Sequence, residues 1–138
     1  MVEFSSIDVK NLPGISPIDV KNLKSLGINT NFALLQCTID RQKQEELALK
    51  MGVNVKNILK WTALADLSRL ESVGSKYCGL ILHSGILSCS ELSQASTFKL
   101  HRQIVRLQVG TLRNKDLCPP LSLVHTWIKE AKTLGIRN

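Results

Sequence analysis

Aromatic residues and long apolar runs are scarce in this 138-residue chain. Six side chains are aromatic (two Trp, one Tyr and three Phe), so base stacking on an aromatic platform, one way of holding single-stranded nucleic acid, is disfavoured. No run of about 18 apolar residues occurs, and we expect no membrane-spanning segment. The first residues, MVEFSSIDVK, include Glu3 and lack the apolar stretch of a secretory signal, which predicts a cytoplasmic protein.

Motifs for catalysis and for metal or cofactor binding are also missing. The four cysteines are 41, 11 and 29 residues apart, unlike zinc ligands or a CxxC pair. We therefore expect reduced, buried thiols at Cys37, Cys78, Cys89 and Cys118. The three histidines are scattered, and no nucleophile turn, phosphate-binding loop or paired-carboxylate motif is present. The sequence predicts a protein that is not an enzyme and has no cofactor or metal site.

Positive charge is what the chain has in excess. It carries 18 Lys and Arg against 11 Asp and Glu, a formal net charge of +7. Such a balance favours nucleic acid, an anionic membrane surface or an acidic protein as a partner. The net charge predicts a negatively charged partner but does not indicate which of these three classes it belongs to.

The chain contains a weak internal repeat. A shift of 58 residues places residues 7–30 over residues 65–88. The identical pairs are Asp8 and Asp66, Leu12 and Leu70, Gly27 and Gly85, and Ile28 and Ile86. In a helical hairpin these positions mark where the helices begin and end. A repeat of this kind predicts two copies of one supersecondary unit.

The same local physics applies to each copy. An Asp is placed to cap a short helical turn, a second helix follows the reversal of the chain, and a Gly ends that helix in a left-handed conformation. These features correspond to Asp8 and Asp66, to helices over 17–26 and 75–84, and to Gly27 and Gly85. Structural necessity alone could explain both glycines, without any role in binding.

The later parts of the two copies correspond more loosely. Thr30 and Ser88 each precede a short predicted helix, and a longer one follows that should end at Gly52 or Gly110. A tryptophan follows in each half, and we expect both to be core anchors rather than ligand contacts. The two, Trp61 and Trp127, are 66 residues apart, which predicts eight inserted residues near the loop at 111–120.

The two turns, LPGIS and LESVGS, are each followed by a helix that ends in LGI or SGI. They resemble the helix-hairpin-helix motif, in which an apolar-x-Gly-apolar-Gly turn joins two short helices. The wider pattern is similar to a family of tandem helix-hairpin-helix proteins of unknown function, mainly cyanobacterial and other bacterial, related to helix-hairpin-helix DNA-binding domains. The resemblance covers about residues 7 to 110.

This resemblance implies a phosphate-binding role for the turns. In the DNA-binding relatives the turn's backbone N–H groups contact a phosphate, and the next helix adds its positive N-terminal end. On this chain the contacts would come from Gly14, Ile15 and Ser16 in the first hairpin and from Val73, Gly74 and Ser75 in the second, assisted by Lys21, Lys24 and Lys76. Each copy keeps one of the two motif glycines. Asp19 would repel a phosphate in the first copy, so the second hairpin is predicted to be the better site.

A basic stripe lies outside both hairpins. Lys99, Arg102 and Arg106 recur at intervals of three and four residues, which places them on one helical face, and the segment 97–115 has five basic residues and no acid. The stripe could follow a nucleic-acid backbone, with little sequence preference and a strong dependence on salt. The alternative is an ordinary solvated face opposite Leu100 and Ile104.

Together these features predict an all-α fold of two tandem helix-hairpin-helix-like repeats, residues 1–64 and 65–138, packed into one compact domain. The predicted function is non-enzymatic, sequence-nonspecific DNA binding through phosphate contacts. The alternative is a protein-interaction module or assembly adaptor whose basic face meets an acidic partner, or a homo-oligomer that buries one apolar face. No membrane partner is expected.

Overall fold

Helices form almost all of the regular structure in residues 6–111 and 118–137, the parts of the chain that a computed structural model describes. These ranges contain no β-strand, and one isolated antiparallel bridge joins Asp8 to Thr30. The α-helices are α1 (Pro17–Ser25), α2 (Asn31–Cys37), α3 (Arg41–Met51), α4 (Val55–Ser68), α5 (Gly74–His83), α6 (Cys89–Ser93), α7 (Thr97–Arg106) and α8 (Leu121–Arg137). A 3-10 turn, Val9–Asn11, precedes α1, and a π-helical turn, Leu107–Thr111, follows α7. The predicted all-α class is confirmed.

Short polar side chains begin most of these helices. Each accepts a hydrogen bond from a backbone N–H of the first turn, one of the groups that have no partner within the helix. The capping residues are Asp8, Ser16, Thr30, Asp40, Asn54, Ser88 and Ser96. The helix starts predicted at Thr30 and Ser88 are therefore confirmed.

Glycines end α1 and α5 as the sequence predicts. Gly27 and Gly85 have φ of 83° and 101°, the left-handed region that a residue with a Cβ rarely adopts. The residue after each glycine then donates to the carbonyl five positions back. These bonds join Ile28 to Leu23 at 2.9 Å and Ile86 to Ile81 at 3.3 Å. The observed bounds of both helices lie within one residue of the predicted ones.

Two predicted boundaries are wrong. Asp66 does not cap a new helix, because α4 contains no Gly or Pro to break it and continues to Ser68. The Asp66 carboxylate instead accepts from the Cys89 N–H at 2.8 Å and pairs with Arg69 at 2.6 Å. Gly110 does not end the helix that precedes it, since the chain passes through it in the π-helical turn. Glycine permits a left-handed end but does not impose one.

The core is built around α4 and α8. Helix α4 packs against α2, α3 and α5, while α8 packs against α6 and α7. Trp61 and Trp127 are both buried, which confirms the prediction of two core anchors. Helix α4 runs unbroken through residues 64 and 65, where the sequence would divide the two repeats, so that division stays a prediction. Most of the predicted insertion, residues 112–117, lies outside the described residues. Among the helices described, none is long and apolar enough to cross a bilayer.

The prediction of four buried cysteines is wrong in part. Cys78 and Cys89 are buried, whereas Cys118 is partly exposed and Cys37 is exposed at the end of α2. Burial raises the pKa of both the Cys78 and the Cys89 thiol to about 12. The thiolate is the form that attacks alkylating reagents, so at neutral pH these two thiols present almost none of it.

Alkylation is therefore expected to be selective. With iodoacetamide at neutral pH, Cys37 should be modified first and Cys78 and Cys89 only when the protein unfolds, because the buried thiols are both shielded and protonated. Peptide mass spectrometry over a time course measures this order. Modification of Cys78 at the rate of Cys37 in folded protein would contradict it.

Candidate nucleic-acid interface

The turn of the first hairpin presents backbone N–H groups outward. Gly14 has a φ of 80°, which the chain needs to reverse between Leu12 and α1. Pro13 and Gly14 form a tight turn that brings the Ile15 N–H back toward Leu12, and the N–H groups of Gly14 and Ser16 donate to no acceptor within the described residues. Gly14 and Ser16 are exposed to solvent, and Ile15 is partly buried against the core. Exposed backbone donors at a turn can bind an anion.

A lysine from a distant part of the chain stands beside this turn. A Cβ built on Gly14 would lie 3.6 Å from Nζ of Lys60, which is an exposed residue of α4. Pro13, in the same turn, packs against α5, where its Cγ would lie 3.1 Å from a Cβ on Gly79. The turn is thus held against α4 and α5, and the ammonium of Lys60 places a positive charge beside Gly14.

The remaining predicted residues of the first hairpin are less available to a phosphate. The Ser16 hydroxyl donates to the Asp19 carboxylate at 2.9 Å and accepts from the Asp19 N–H at 3.2 Å. Lys24 pairs with Asp8 at 3.0 Å. A hydrogen bond from the Lys10 N–H, followed by the bond from Lys24, lowers the pKa of Asp8 below 3.8. Lys24 therefore holds α1 to the 3-10 turn, and Lys21 is the exposed lysine of this hairpin.

The second hairpin differs because two of its three predicted donors are already used, and only the Ser75 N–H has no acceptor within the described residues. The N–H groups of Val73 and Gly74 both donate to the Leu70 carbonyl, at 3.0 and 2.9 Å. The N–H of Ser72 donates to a carboxylate oxygen of Glu130, in α8, at 3.3 Å. A negative charge of the protein itself therefore lies at the turn that was predicted to be the better phosphate site.

Other side chains around the second turn are also engaged, although the Ser72 hydroxyl is buried without a hydrogen-bond partner among the described residues. Trp127 donates from Nε1 to the Ser72 carbonyl at 3.1 Å, and its ring lies 5.2 Å from that of Tyr77. Lys76 stands over the Tyr77 ring, with Nζ 5.1 Å from the centroid. Gly74 has a φ of 53° and Ser75 follows it in the first turn of α5. The second hairpin is thus packed against α8, and the geometry favours the first hairpin over it as an anion site.

The basic stripe lies on an exposed face of α7. Lys99, Arg102 and Arg106 are all exposed, and Leu100 and Ile104 are buried on the other side of the helix. None of the three basic side chains forms an ion pair within residues 6–111 and 118–137. The other basic residues of the segment, Arg113 and Lys115, lie outside the described residues.

Two open cavities join the first hairpin to this stripe. The larger, about 630 Å³, is lined partly by Lys56, Lys60 and His83, and the smaller, about 260 Å³, partly by His83 and Arg106. His83, at the end of α5, lines both of them. Among the described residues, no acidic side chain lines either cavity. A surface that carries Lys56, Lys60 and Arg106 therefore runs from Gly14 past His83 to α7.

Sequence reasoning missed Lys60, Lys56 and His83 as members of this surface. The spacing of Lys56 and Lys60 by four residues marks one face of α4, and this was the available indication. Nothing in the sequence places that face beside Gly14. Within the described parts of the chain, no group of three His, Cys, Asp or Glu side chains could hold a metal ion.

Comparison with known proteins gives a family for most of the chain. A family model described as a domain of unknown function (DUF4332) matches residues 13–134. No curated protein and no solved structure matches the chain.

Proposed function

We propose, for a chain that belongs to the DUF4332 family of domains of unknown function, a non-enzymatic role in sequence-nonspecific binding of the DNA backbone. In this proposal the two hairpins are related copies of a helix-hairpin-helix-like unit, and the first copy binds phosphate while the second is packed into the fold. The binding surface consists of the first turn, Lys60 and the basic stripe of α7.

One observation carries the proposal. The N–H groups of Gly14 and Ser16 have no acceptor within the described residues, and the ammonium of Lys60 lies beside Gly14. Backbone donors and a nearby cation are the groups that bind a phosphate without reading a base. The net charge of +7 and the exposed stripe supply further contacts along the backbone.

Asp19 opposes this proposal locally, and its position limits the expected affinity. Its carboxylate lies in the first turn of α1, where it also complements the helix dipole. It is held by the Ser16 hydroxyl on the helix side of the turn. We therefore expect weak binding at the turn itself, with the stripe supplying a large share of the affinity.

Titration of a fluorescein-labelled DNA duplex, followed by anisotropy, tests the proposal. Binding should be measurable at about 50 mM salt and much weaker at about 200 mM, because each phosphate contact releases counterions. A paired comparison then tests which hairpin binds. Lys60→Glu is expected to weaken binding about tenfold, as loss of a phosphate contact next to a new negative charge predicts.

Lys76→Glu is the matched control for this comparison. It makes the same charge change at an exposed lysine of the other hairpin, where Glu130 and the Leu70 carbonyl already accept from the N–H groups of Ser72, Val73 and Gly74. Its affinity should stay within about twofold of that of the unmodified protein, since only the net charge changes. Equal losses in the two variants would contradict the assignment to the first hairpin, and no binding at low salt would contradict the function.

One feature of the surface favours the alternative, a protein-interaction module. The larger cavity has an apolar floor that includes Leu59 and Leu87, and a phosphate backbone does not need such a floor. If duplex and single-stranded DNA both fail to bind, the cationic rim and this floor together support a protein partner with acidic and apolar side chains.

A further inference from the structure

Helix α7 exposes an aromatic ring on the side that carries the basic stripe. Among the aromatic side chains of the described residues, Phe98 alone is exposed, with 69% of its surface open to solvent. The others are buried or partly buried: Phe32, Trp61, Tyr77 and Trp127. Leu100 and Ile104 form the buried side of α7, so the packing of this helix makes little use of the Phe98 ring.

Phe98 extends the row of basic side chains along the helix. It is four residues before Arg102, which is four residues before Arg106, and residues at this spacing are neighbours on one helical face. Lys99 lies beside this row and is also exposed. The helical rise separates successive members of the row by about 6 Å along the axis. This interval is similar to that between neighbouring nucleotides in an extended single strand.

The surroundings of the ring are basic and otherwise polar. No Asp or Glu occurs between Glu91 and Asp116, so α7 contains no carboxylate. Phe98 is also the one large apolar side chain of α7 that is exposed. A helix that lies on a membrane presents several apolar side chains together, and the buried centre of a protein interface does the same. A single ring among cations has too little apolar area for either role.

A nucleic-acid base, in contrast, needs only one ring. Proteins hold single strands by combining cations along the backbone with aromatic side chains on which bases stack. The scarcity of aromatic residues disfavours a platform of several rings, but it does not affect one stack at Phe98. Within a duplex each base is already stacked and paired, so the ring finds a free base face where the strand is unpaired.

We propose that the surface of α7 binds DNA that has unpaired bases, with one base stacked on Phe98 and the adjoining phosphates held by Lys99 and Arg102. The inference rests on the proposed function, because the same stripe supplies the backbone contacts. It names the substrate class of that surface as single-stranded DNA or a duplex with a single-stranded extension. Every base has a flat face, so the stack adds affinity without sequence preference.

Fluorescence anisotropy with three labelled probes tests the proposal. One probe is a blunt duplex, the second adds an extension of about six thymine nucleotides, a length that one small single-strand-binding fold covers, and the third adds an equally long abasic extension. The two extensions carry the same phosphates and differ only in their bases. The thymine probe should bind about tenfold more tightly than the abasic probe, as one aromatic stack predicts.

Substitutions of Phe98 identify the ring as the source of this gain. Phe98→Ala should bind the thymine probe about tenfold more weakly, and no better than the abasic probe. Its affinity for the blunt duplex should change by less than about twofold, because the side chain is exposed. Phe98→Trp should keep the gain, whereas Phe98→Leu should lose it, since leucine is apolar but offers no flat face.

Leu49→Ala is the matched control, because it truncates an apolar side chain that is 83% exposed on α3 and should leave all three affinities unchanged. Circular dichroism melts verify that each variant is folded. Equal binding of the thymine and abasic probes, or a Phe98→Leu variant that keeps the gain, would overturn the stacking proposal and leave backbone binding intact. Failure of all three probes to bind would instead contradict the proposed function, and this inference with it.

Co-sedimentation with vesicles of phosphatidylserine and phosphatidylcholine in equal amounts tests the competing class of partner. Cations attract any protein with this stripe to such vesicles, so Phe98→Ala is expected to bind them as the unmodified protein does. If vesicle binding were lost in Phe98→Ala and kept in Phe98→Leu, while the thymine probe gained nothing from the ring, Phe98 would be a membrane contact and the proposal would be wrong.

Discussion

Replacing Trp127 with Ala is expected to lower the free energy of unfolding by about 3 to 5 kcal/mol. The side chain is fully buried in α8, its ring packs against Tyr77, and its Nε1 donates to the Ser72 carbonyl at 3.1 Å. The substitution removes the ring, leaves a cavity and leaves a polar group without its donor. A domain of this size is typically stable by about 5 to 15 kcal/mol, so the loss is a large share of the total.

Urea unfolding followed by far-ultraviolet circular dichroism measures this change. Trp127→Phe should give an intermediate loss, because it keeps most of the packing and removes the hydrogen bond to Ser72. His125→Ala is the control in the same helix, since His125 is exposed and should change stability by less than about 0.5 kcal/mol. A loss in Trp127→Ala as small as that in the control would show that α8 is not anchored by this residue.

Local features of the fold could be predicted from the sequence because their causes act within one turn of helix. A Thr or Ser before an apolar run caps the helix through an N–H three residues on, as Thr30 and Ser88 do. A glycine that follows a helix can adopt the left-handed conformation without the steric strain that a Cβ would cause, as Gly27 does. The face of α7 that carries Lys99 follows from helical periodicity alone.

The features that distinguish the two hairpins could not be predicted, because they depend on residues far apart in the chain. Glu130 reaches the N–H of Ser72 across 58 positions, and Lys60 reaches the turn at Gly14 from another helix. The sequence predicts that the first hairpin is the poorer phosphate site, because Asp19 is near it. In the folded chain Glu130 bonds to the second turn and Lys60 lies beside the first, and these tertiary contacts favour the first hairpin despite Asp19.

The role of Asp66 could not be predicted from the sequence either, because it depends on contacts with distant residues. Its match to Asp8 in the repeat predicts a helix cap, and the short-range pattern around it contains nothing to the contrary. The apolar residues of α4 continue to pack beyond it, so the helix does not stop, and the carboxylate serves Cys89 and Arg69 instead. Burial of Ile58, Leu64 and Leu67 against neighbouring helices outweighs a capping bond, which contributes about 1 kcal/mol.

The stripe on α7 is expected to supply the largest share of DNA affinity. The triple variant Lys99→Glu/Arg102→Glu/Arg106→Glu should weaken duplex binding on the order of 10²-fold at low salt, because it replaces three phosphate contacts with repulsion. The slope of log K against log salt should fall in magnitude by about 3, roughly one unit for each lost contact. All three side chains are exposed, so the fold should tolerate the change.

A second triple variant separates the position of the charges from their number. Lys43→Glu/Lys50→Glu/Lys132→Glu also reverses three exposed cations, and in both proteins the formal net charge of +7 falls by 6 to +1. If affinity followed net charge alone, the two variants would bind equally. Because Arg106 adjoins the cavity that contains His83, whereas Lys43 and Lys50 lie on α3, only the α7 variant breaks the cationic surface that begins at Gly14. Anisotropy titrations at two salt concentrations distinguish these outcomes. Equal losses of DNA affinity in the two variants would show that the stripe is an ordinary solvated face.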